Sequence, residues 1–325
     1  MWITLRVRAQ PVTKAPVRLE LARTGFRFAS ASNLPYDSGM MILSLLVSVF
    51  MSAPASAQNV FEGPIAKSLG GSGRAGLDSV DGAFLNPALV ALLPKSELTA
   101  YYQDGSRTAG QHQTIYGLDM SENDKEVLFS GNIAYLRTRT TGLVSSPVDG
   151  EIWHGAFAKS FFDRLSVGVS VYHYQAKGTA IDTSEQWNGS LGGVFMILPK
   201  LGVSFVYDNP IHQGSHVPTA VRFLPQQSFG VYWGIPYNAK LRLDIVRPDD
   251  DNPENRLDIR TAIESAVGEF FVFRLGGRFD EFEGQRFITA GLGFNGPNLK
   301  IDYGIEKNVS GVGGAVHSVD LRGSF

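Results

Sequence analysis

Apolar and polar residues alternate one by one over long stretches of this chain. Val167, Val169 and Val171 alternate with Ser166, Gly168, Ser170 and Tyr172, and Ala239, Leu241, Leu243 and Ile245 with Lys240, Arg242 and Asp244. Leu257, Ile259, Thr261 and Ile263 alternate with Arg256, Asp258, Arg260 and Glu264, and Leu299, Ile301, Tyr303 and Ile305 with Lys300, Asp302, Gly304 and Glu306. A period of two belongs to the β-strand, whose side chains point to opposite faces in turn. Each of these strands therefore has one greasy and one polar or charged face.

The last segment follows the same rule, with Val319, Leu321, Gly323 and Phe325 on one face and Ser318, Asp320, Arg322 and Ser324 on the other. An apolar outer face closing on an aromatic is how the final strand of a bacterial outer-membrane β-barrel reads, and these four apolar positions are the expected assembly signal. A soluble sandwich would alternate too, so the connections have to discriminate. Counted back from the end, long and short connections take turns: Asn308–Gly314 long, Asn295–Asn298 tight, Glu281–Gln285, then Val267–Glu269 short. Pro248–Asn255 is long, Pro236–Tyr237 short, Asp208–Gln226 long, Pro199–Lys200 short, Ala176–Ser184 long, Asp163 short and Thr140–Asp149 long. Long outer loops and tight inner turns are the rhythm of a transmembrane barrel. It weakens only near Met120–Lys125, which is long for an inner turn. The chain is thus expected to be all-β, an antiparallel transmembrane barrel of about fourteen strands over residues 96–325. Aromatics near strand ends, among them Tyr101, Trp153, Trp187, Trp233 and Phe270, fit interfacial girdles or simple packing.

The amino-terminal part reads differently. Met41 to Met51 is an apolar run followed by Ser52-Ala53-Pro54-Ala55-Ser56-Ala57. This predicts a secretory signal peptide cleaved after Ala57, with residues 1–57 removed as an extended amino terminus plus signal. The run is too short for a spanning helix. Export and hidden hydropathy together place the protein in the outer membrane of a Gram-negative cell.

Residues 58–95 carry small residues at Leu69-Gly70-Gly71-Ser72-Gly73-Arg74-Ala75-Gly76, then a short apolar stretch from Val80 to Leu93. No strand precedes the glycines and no Lys-Ser or Lys-Thr closes them, so they do not make a phosphate loop. They suit a chain turning tightly inside a crowded lumen. Ala75-Gly76, Asp78, Asp81-Gly82-Ala83 and Asn86-Pro87-Ala88, followed by a short apolar helix, resemble the amino-terminal hatch of the FadL-type long-chain fatty-acid transporters and of the related PorV-like barrels that serve protein secretion. The resemblance implies a lumenal hatch and passive uptake of small hydrophobic molecules, with Phe84, Leu85, Leu89 and Leu92 as apolar lining and Asn86, Pro87 and Ala88 as the turn that fixes the hatch. Plug packing without a ligand explains the same residues. Its other implication is a non-transporting barrel that binds protein partners. The 268 residues left after cleavage (325 minus 57) make a leaner barrel than that family's, with shorter outer loops.

Composition narrows the chemistry. There is no Cys, and a net charge of -2 excludes a basic nucleic-acid binder. His112, His154, His173, His212, His216 and His317 fall in no metal-ligand or catalytic spacing, so no enzyme, metal site or cofactor is expected. Lys240, Arg242 and Asp244 neighbour Arg256, Asp258, Arg260 and Glu264 on the lumenal side of two adjacent strands. They form either a register-fixing charge ladder in a solvated lumen or anion contacts along a permeation path. The expected partners are outer-membrane lipid, the barrel-assembly machinery and a small hydrophobic solute.

Overall fold

The computed structural model describes residues 61–325 except 77–78, 107–109, 124–127, 143–145, 163, 180, 214–216, 218–220, 236–237, 249–256, 282–283 and 311–312. The signal peptide, Asp78, His216 and Arg256 lie outside the described residues. Fourteen strands close into a barrel in which each pairs antiparallel with its sequence neighbours and the first pairs with the last. They are β1 (Glu97–Gly105), β2 (His112–Glu122), β3 (Ser130–Thr141), β4 (Val148–Phe161), β5 (Leu165–Gly178), β6 (Ile181–Leu198), β7 (Leu201–Asp208), β8 (Gln226–Ile235), β9 (Ala239–Pro248), β10 (Asp258–Val267), β11 (Phe271–Asp280), β12 (Gln285–Asn295), β13 (Leu299–Asn308) and β14 (Ala315–Ser324). Closure runs through Leu98↔Gly323 to Gly105↔Val316, so no sheet edge is left unpaired.

The alternation assigns the two faces as the sequence predicts. On β14, Val319, Leu321 and Phe325 are exposed, whereas Ser318, Asp320 and Arg322 are buried. On β5, Val167, Val169 and Val171 are exposed and Ser166, Ser170 and Tyr172 buried. The exposed set forms an apolar outer belt around the barrel, the solvent-facing pattern of a membrane barrel and not of a soluble one. With the last strand ending at the periplasmic side, the turns at that rim are short except between β2 and β3, and the longest connections, β7–β8 and β9–β10, lie at the outer rim.

One expectation is corrected. The β5–β6 connection is not a long loop over 176–184: β5 continues to Gly178 and β6 resumes at Ile181, with one register irregularity between Ala176 and Gly178. Cross-strand pairs hold this hairpin together, Gln175 donating to Glu185 at 2.7 Å and His173 stacking on Trp187 at 4.6 Å. Of the two readings open for Tyr101, packing holds: it points inward and is buried.

The segment ahead of β1 threads the lumen. It contains α1 (Pro64–Ser68), α2 (Gly82–Leu85) and a 3-10 helix over Pro87–Leu92. Proline occupies the first turn of α1 and of the 3-10 helix, where its missing N–H costs nothing. Asn86 caps the 3-10 helix by accepting from the Ala88 N–H at 3.0 Å.

Candidate functional site

The lumen is divided by chemistry. Strands β9–β14 and β1 carry an ionic belt. Glu264 accepts from Lys240 (3.1 Å), Arg242 (3.3 Å) and Arg274 (2.8 Å). Arg274 also pairs with Asp302, which pairs with Arg322, and Arg322 contacts Asp320 and Glu97. Asp258 bridges Arg260 (2.7 Å) and Arg278 (3.1 Å). Arg242, Asp244, Asp258, Arg260, Glu264, Arg274, Arg278, Asp302 and Arg322 are all buried, so this half of the lumen is a packed ion-pair network and not the solvated ladder that the sequence allows.

The hatch completes that network. Asp244 faces Arg260 in the strand register, yet its Oδ2 accepts from the Gly73 N–H (3.0 Å), the Arg74 N–H (3.1 Å) and the Arg74 guanidinium (3.2 Å). Arg260 in turn donates to Glu62 at 2.9 Å and to the Gly71 carbonyl at 3.1 Å. Of the charges expected to pair across the β9–β10 hairpin, Lys240, Arg242 and Glu264 do so. Asp244 and Arg260 are taken by the hatch. Gly70 and Gly71 adopt φ of 65° and 75°, a region that costs Gly nothing, and Gly71 lies too close to Arg260 and Glu62 for a side chain. Asp81 ties the segment to itself, accepting from the Ala66 N–H at 3.0 Å and from the Ser79 hydroxyl. Burial pushes its carboxyl up to about 6.

Strands β1–β5 present the opposite character. Tyr101, Ile115, Ala134, Leu136, Ile152, Ala156, Tyr172 and Tyr174 turn inward and form one apolar cluster with Phe61, Val80, Phe84, Val90 and Leu93 of the hatch. At the outer mouth, Val217, Val221 and Phe223 from the β7–β8 connection join the same cluster. Phe223 sets its edge against Tyr172 and Tyr174 at 5.6 and 5.3 Å, and its N–H donates to Gln186. Tyr172 donates to Asn209, whose amide donates to the Leu224 carbonyl at 2.8 Å. An apolar cluster therefore packs along one wall, with Val217, Val221 and Phe223 at its outer end and the hatch residues at its inner end.

The expected hatch residues divide between two surroundings. Phe84 faces the lane. Leu85, Ala88 and Leu89 instead pack with Ile65, Ala66, Leu69, Val194 and Ala262, and Leu92 is 42% exposed, apart from both groups. The Asn86-Pro87-Ala88 turn abuts the cross-strand pair Gly168 and Gly192: a Cβ on Gly192 would collide with the Asn86 carboxamide, and one on Gly168 with the Pro87–Ala88 backbone. Asn86 Nδ2 donates to the Arg74 carbonyl at 2.8 Å. Behind this thin wall, a recess of about 750 Å³ opens on the lipid side, lined by Phe157, Phe161, Val167, Leu191, Gly193 and Phe205.

Arg74 and Glu62, the hatch charges that hold the wall, were not singled out by sequence reasoning, and neither was the Asp119–Asn132–His154 trio on the apolar wall. Alternation places the strand residues inward, but no local signal names their partners. Among the described residues, no group of three or more acidic or His ligands could hold a metal.

No protein-family model matches the chain, and no curated protein matches it. Solved structures do. The chain is similar to the CymD monoaromatic hydrocarbon channel, with 15% identity over 83% of this chain and 99% of that one and a TM-score of 0.67. It is similar to a Pseudomonas aeruginosa FadL homologue, with 12% identity, coverage of 83% and 100% and a TM-score of 0.62. The Pseudomonas putida toluene transporter TodX matches with 9% identity, coverage of 83% and 98% and a TM-score of 0.56. The fold is that of these outer-membrane channels.

Proposed function

We propose that this barrel passes small hydrophobic molecules across the outer membrane passively. The observation that carries the reading is the two-sided lumen: an apolar lane along β1–β5, set apart from an ionic wall that anchors the plug. A plug held by buried ion pairs on one side can stay attached while its apolar side yields. Such a lane binds a greasy solute by burial and offers an ion no compensating charge. The likeness to channels described as carrying monoaromatic hydrocarbons and toluene supports the same class of solute. The solute enters beneath Phe223, passes Phe84 and leaves past the hatch or through the thin wall at Gly168 and Gly192.

Uptake of labelled toluene and of a labelled long-chain fatty acid, by cells with and without the protein, tests this. Faster uptake of at least one is the expected result. Rates equal to those of cells lacking the protein, for both, would transfer the barrel to a partner-binding role.

A further inference from the structure

The recess on the lipid side of the wall stays open because of one residue. Lys159, Val167, Gly193 and Phe205 stand opposite one another in the register of β4 to β7. All four face outward, since their chain neighbours Ala158, Ser166, Val194 and Ser204 are buried on the inner face. Gly193 thus interrupts a row of side chains. The wall itself does not require a glycine there: the residue lies within the extended run of β6, and a Cβ on it would meet only the Ser166 carbonyl oxygen at 3.8 Å, an ordinary contact. Gly168 and Gly192, in contrast, are filled from the lumen by the hatch turn. The gap at Gly193 lines a recess of about 750 Å³, a volume within the roughly 300–1,000 Å³ of small-molecule sites.

The periplasmic end of this recess is basic. On that rim β4 ends at Phe161 and β5 begins at Leu165, and β6 and β7 meet between Leu198 and Leu201. Lys159 lines the recess itself, while Arg164 and Lys200 occupy the two turns and are exposed. Among the described residues none of the three has an ion-pair partner, and the sequence of the two turns adds a single acid, Asp163. Phe162 points to the same surroundings. Its side chain is 92% exposed and its φ is 55°, a conformation that Gly or Asn adopts readily and a bulky aromatic only under strain. An aromatic held out in this way is unfavourable in water, but at a membrane interface its ring is buried among headgroups.

We propose that this face is a binding site for one anionic phospholipid of the periplasmic leaflet. An acyl chain lies in the recess over Gly193, against Phe157, Val167, Leu191 and Phe205. The phosphate is held by Lys159, with Arg164 and Lys200 beside it, and Phe162 anchors the turn among the headgroups. Each cation at a membrane surface favours an anionic lipid by about fivefold, and the position of these three at the periplasmic rim fixes the leaflet. The chain covers from outside the wall at Gly168 and Gly192 that the hatch turn covers from within. The site stands apart from the permeation reading and holds whether or not a solute crosses the lumen.

The test mixes the purified full-length barrel in detergent with equal amounts of phosphatidylglycerol and phosphatidylcholine of matched chains and counts the retained lipid by native mass spectrometry. Expected is retention of phosphatidylglycerol over phosphatidylcholine by roughly tenfold. Gly193→Leu fills the recess from the lipid side and should lower retention of both lipids by about tenfold, the equivalent of roughly two buried methylene groups lost. Lys159→Gln leaves the recess open and should lower the preference for phosphatidylglycerol about fivefold. A heat-shifted gel band confirms that each variant is folded. Equal retention of the two lipids by the wild type would overturn the site, as would retention unchanged in Gly193→Leu or a preference unchanged in Lys159→Gln.

Discussion

Removing Asp244 should release the plug from its ionic wall. Its carboxylate is fully buried and takes three hydrogen bonds from two consecutive hatch residues, at 3.0, 3.1 and 3.2 Å. Asp244→Ala leaves the Arg74 guanidinium buried without that carboxylate and strips two backbone N–H groups of their acceptor. Breaking a buried pair from one side costs about 3–5 kcal/mol; at about 4 kcal/mol the docked-to-undocked ratio of the plug falls by nearly a thousandfold. In a planar bilayer the wild type should show low, quiet conductance and the variant frequent opening. The double variant Arg74→Met with Asp244→Leu removes both charges, so it should recover the ionic part of the loss but not the part due to the Gly73 and Arg74 N–H groups. Conductance and protease protection unchanged in Asp244→Ala would refute the reasoning, because the plug would then be held by its apolar contacts alone.

Three further outcomes follow from the same geometry. Asn86→Ala removes the cap on Ala88 and the bond to the Arg74 carbonyl, a loss of about 2–3 kcal/mol in hatch docking, readable as faster hydrogen exchange over 82–92; unchanged exchange would contradict it. Leu243→Arg puts a charge on the lipid face of β9 at a cost of about 2–4 kcal/mol in barrel stability, measured by unfolding from lipid, and no change would mean that the face is misassigned. Asp81 has a folded-state carboxyl raised to about 6 from 3.8, so the hatch gains a proton on docking. Its contribution is fully present below about pH 4 and is lost as pH rises through 6, a span worth about 3 kcal/mol; urea release of the hatch should therefore be harder at pH 5 than at pH 7.5, and Asp81→Asn should flatten this difference.

Strand faces were legible because a period of two needs no partner to be recognised: Leu243 outside and Arg242 inside follow from their neighbours. What each inward residue touches was not. Asp244 and Arg260 look like a cross-strand pair, and only the threading of a Gly-rich segment 170 residues earlier shows that Arg74 and Glu62 take them. Arg242, buried on Glu264 and on the Gly76 carbonyl, is accordingly a structural member of the network and not a freely exchangeable lumenal charge. The hatch was legible through the family resemblance that Asn86-Pro87-Ala88 carries, a short turn that Asn86 caps locally. The direction of its apolar side chains was not, since short turns do not hold a periodic face: Phe84 reaches the lane and Leu85 turns away. The hairpin at Gly178 and Ile181 was hidden because its register irregularity between Ala176 and Gly178 breaks the alternation where the strands turn.

The absence of native cysteine allows the most direct measurement. Ile152→Cys places one thiol on the apolar wall of the lumen, where the residue is 2% exposed. In intact cells, an uncharged benzyl methanethiosulfonate and a charged sulfonatoethyl one, added outside, compete for that thiol only if they enter the lane. A conduit for hydrophobic solutes predicts rapid labelling by the benzyl reagent and none by the charged one, with labelling slowed by excess toluene. Equal labelling by both reagents would show an open aqueous pore, and labelling by neither would show a sealed lumen; either result contradicts passage of hydrophobic solutes along β1–β5.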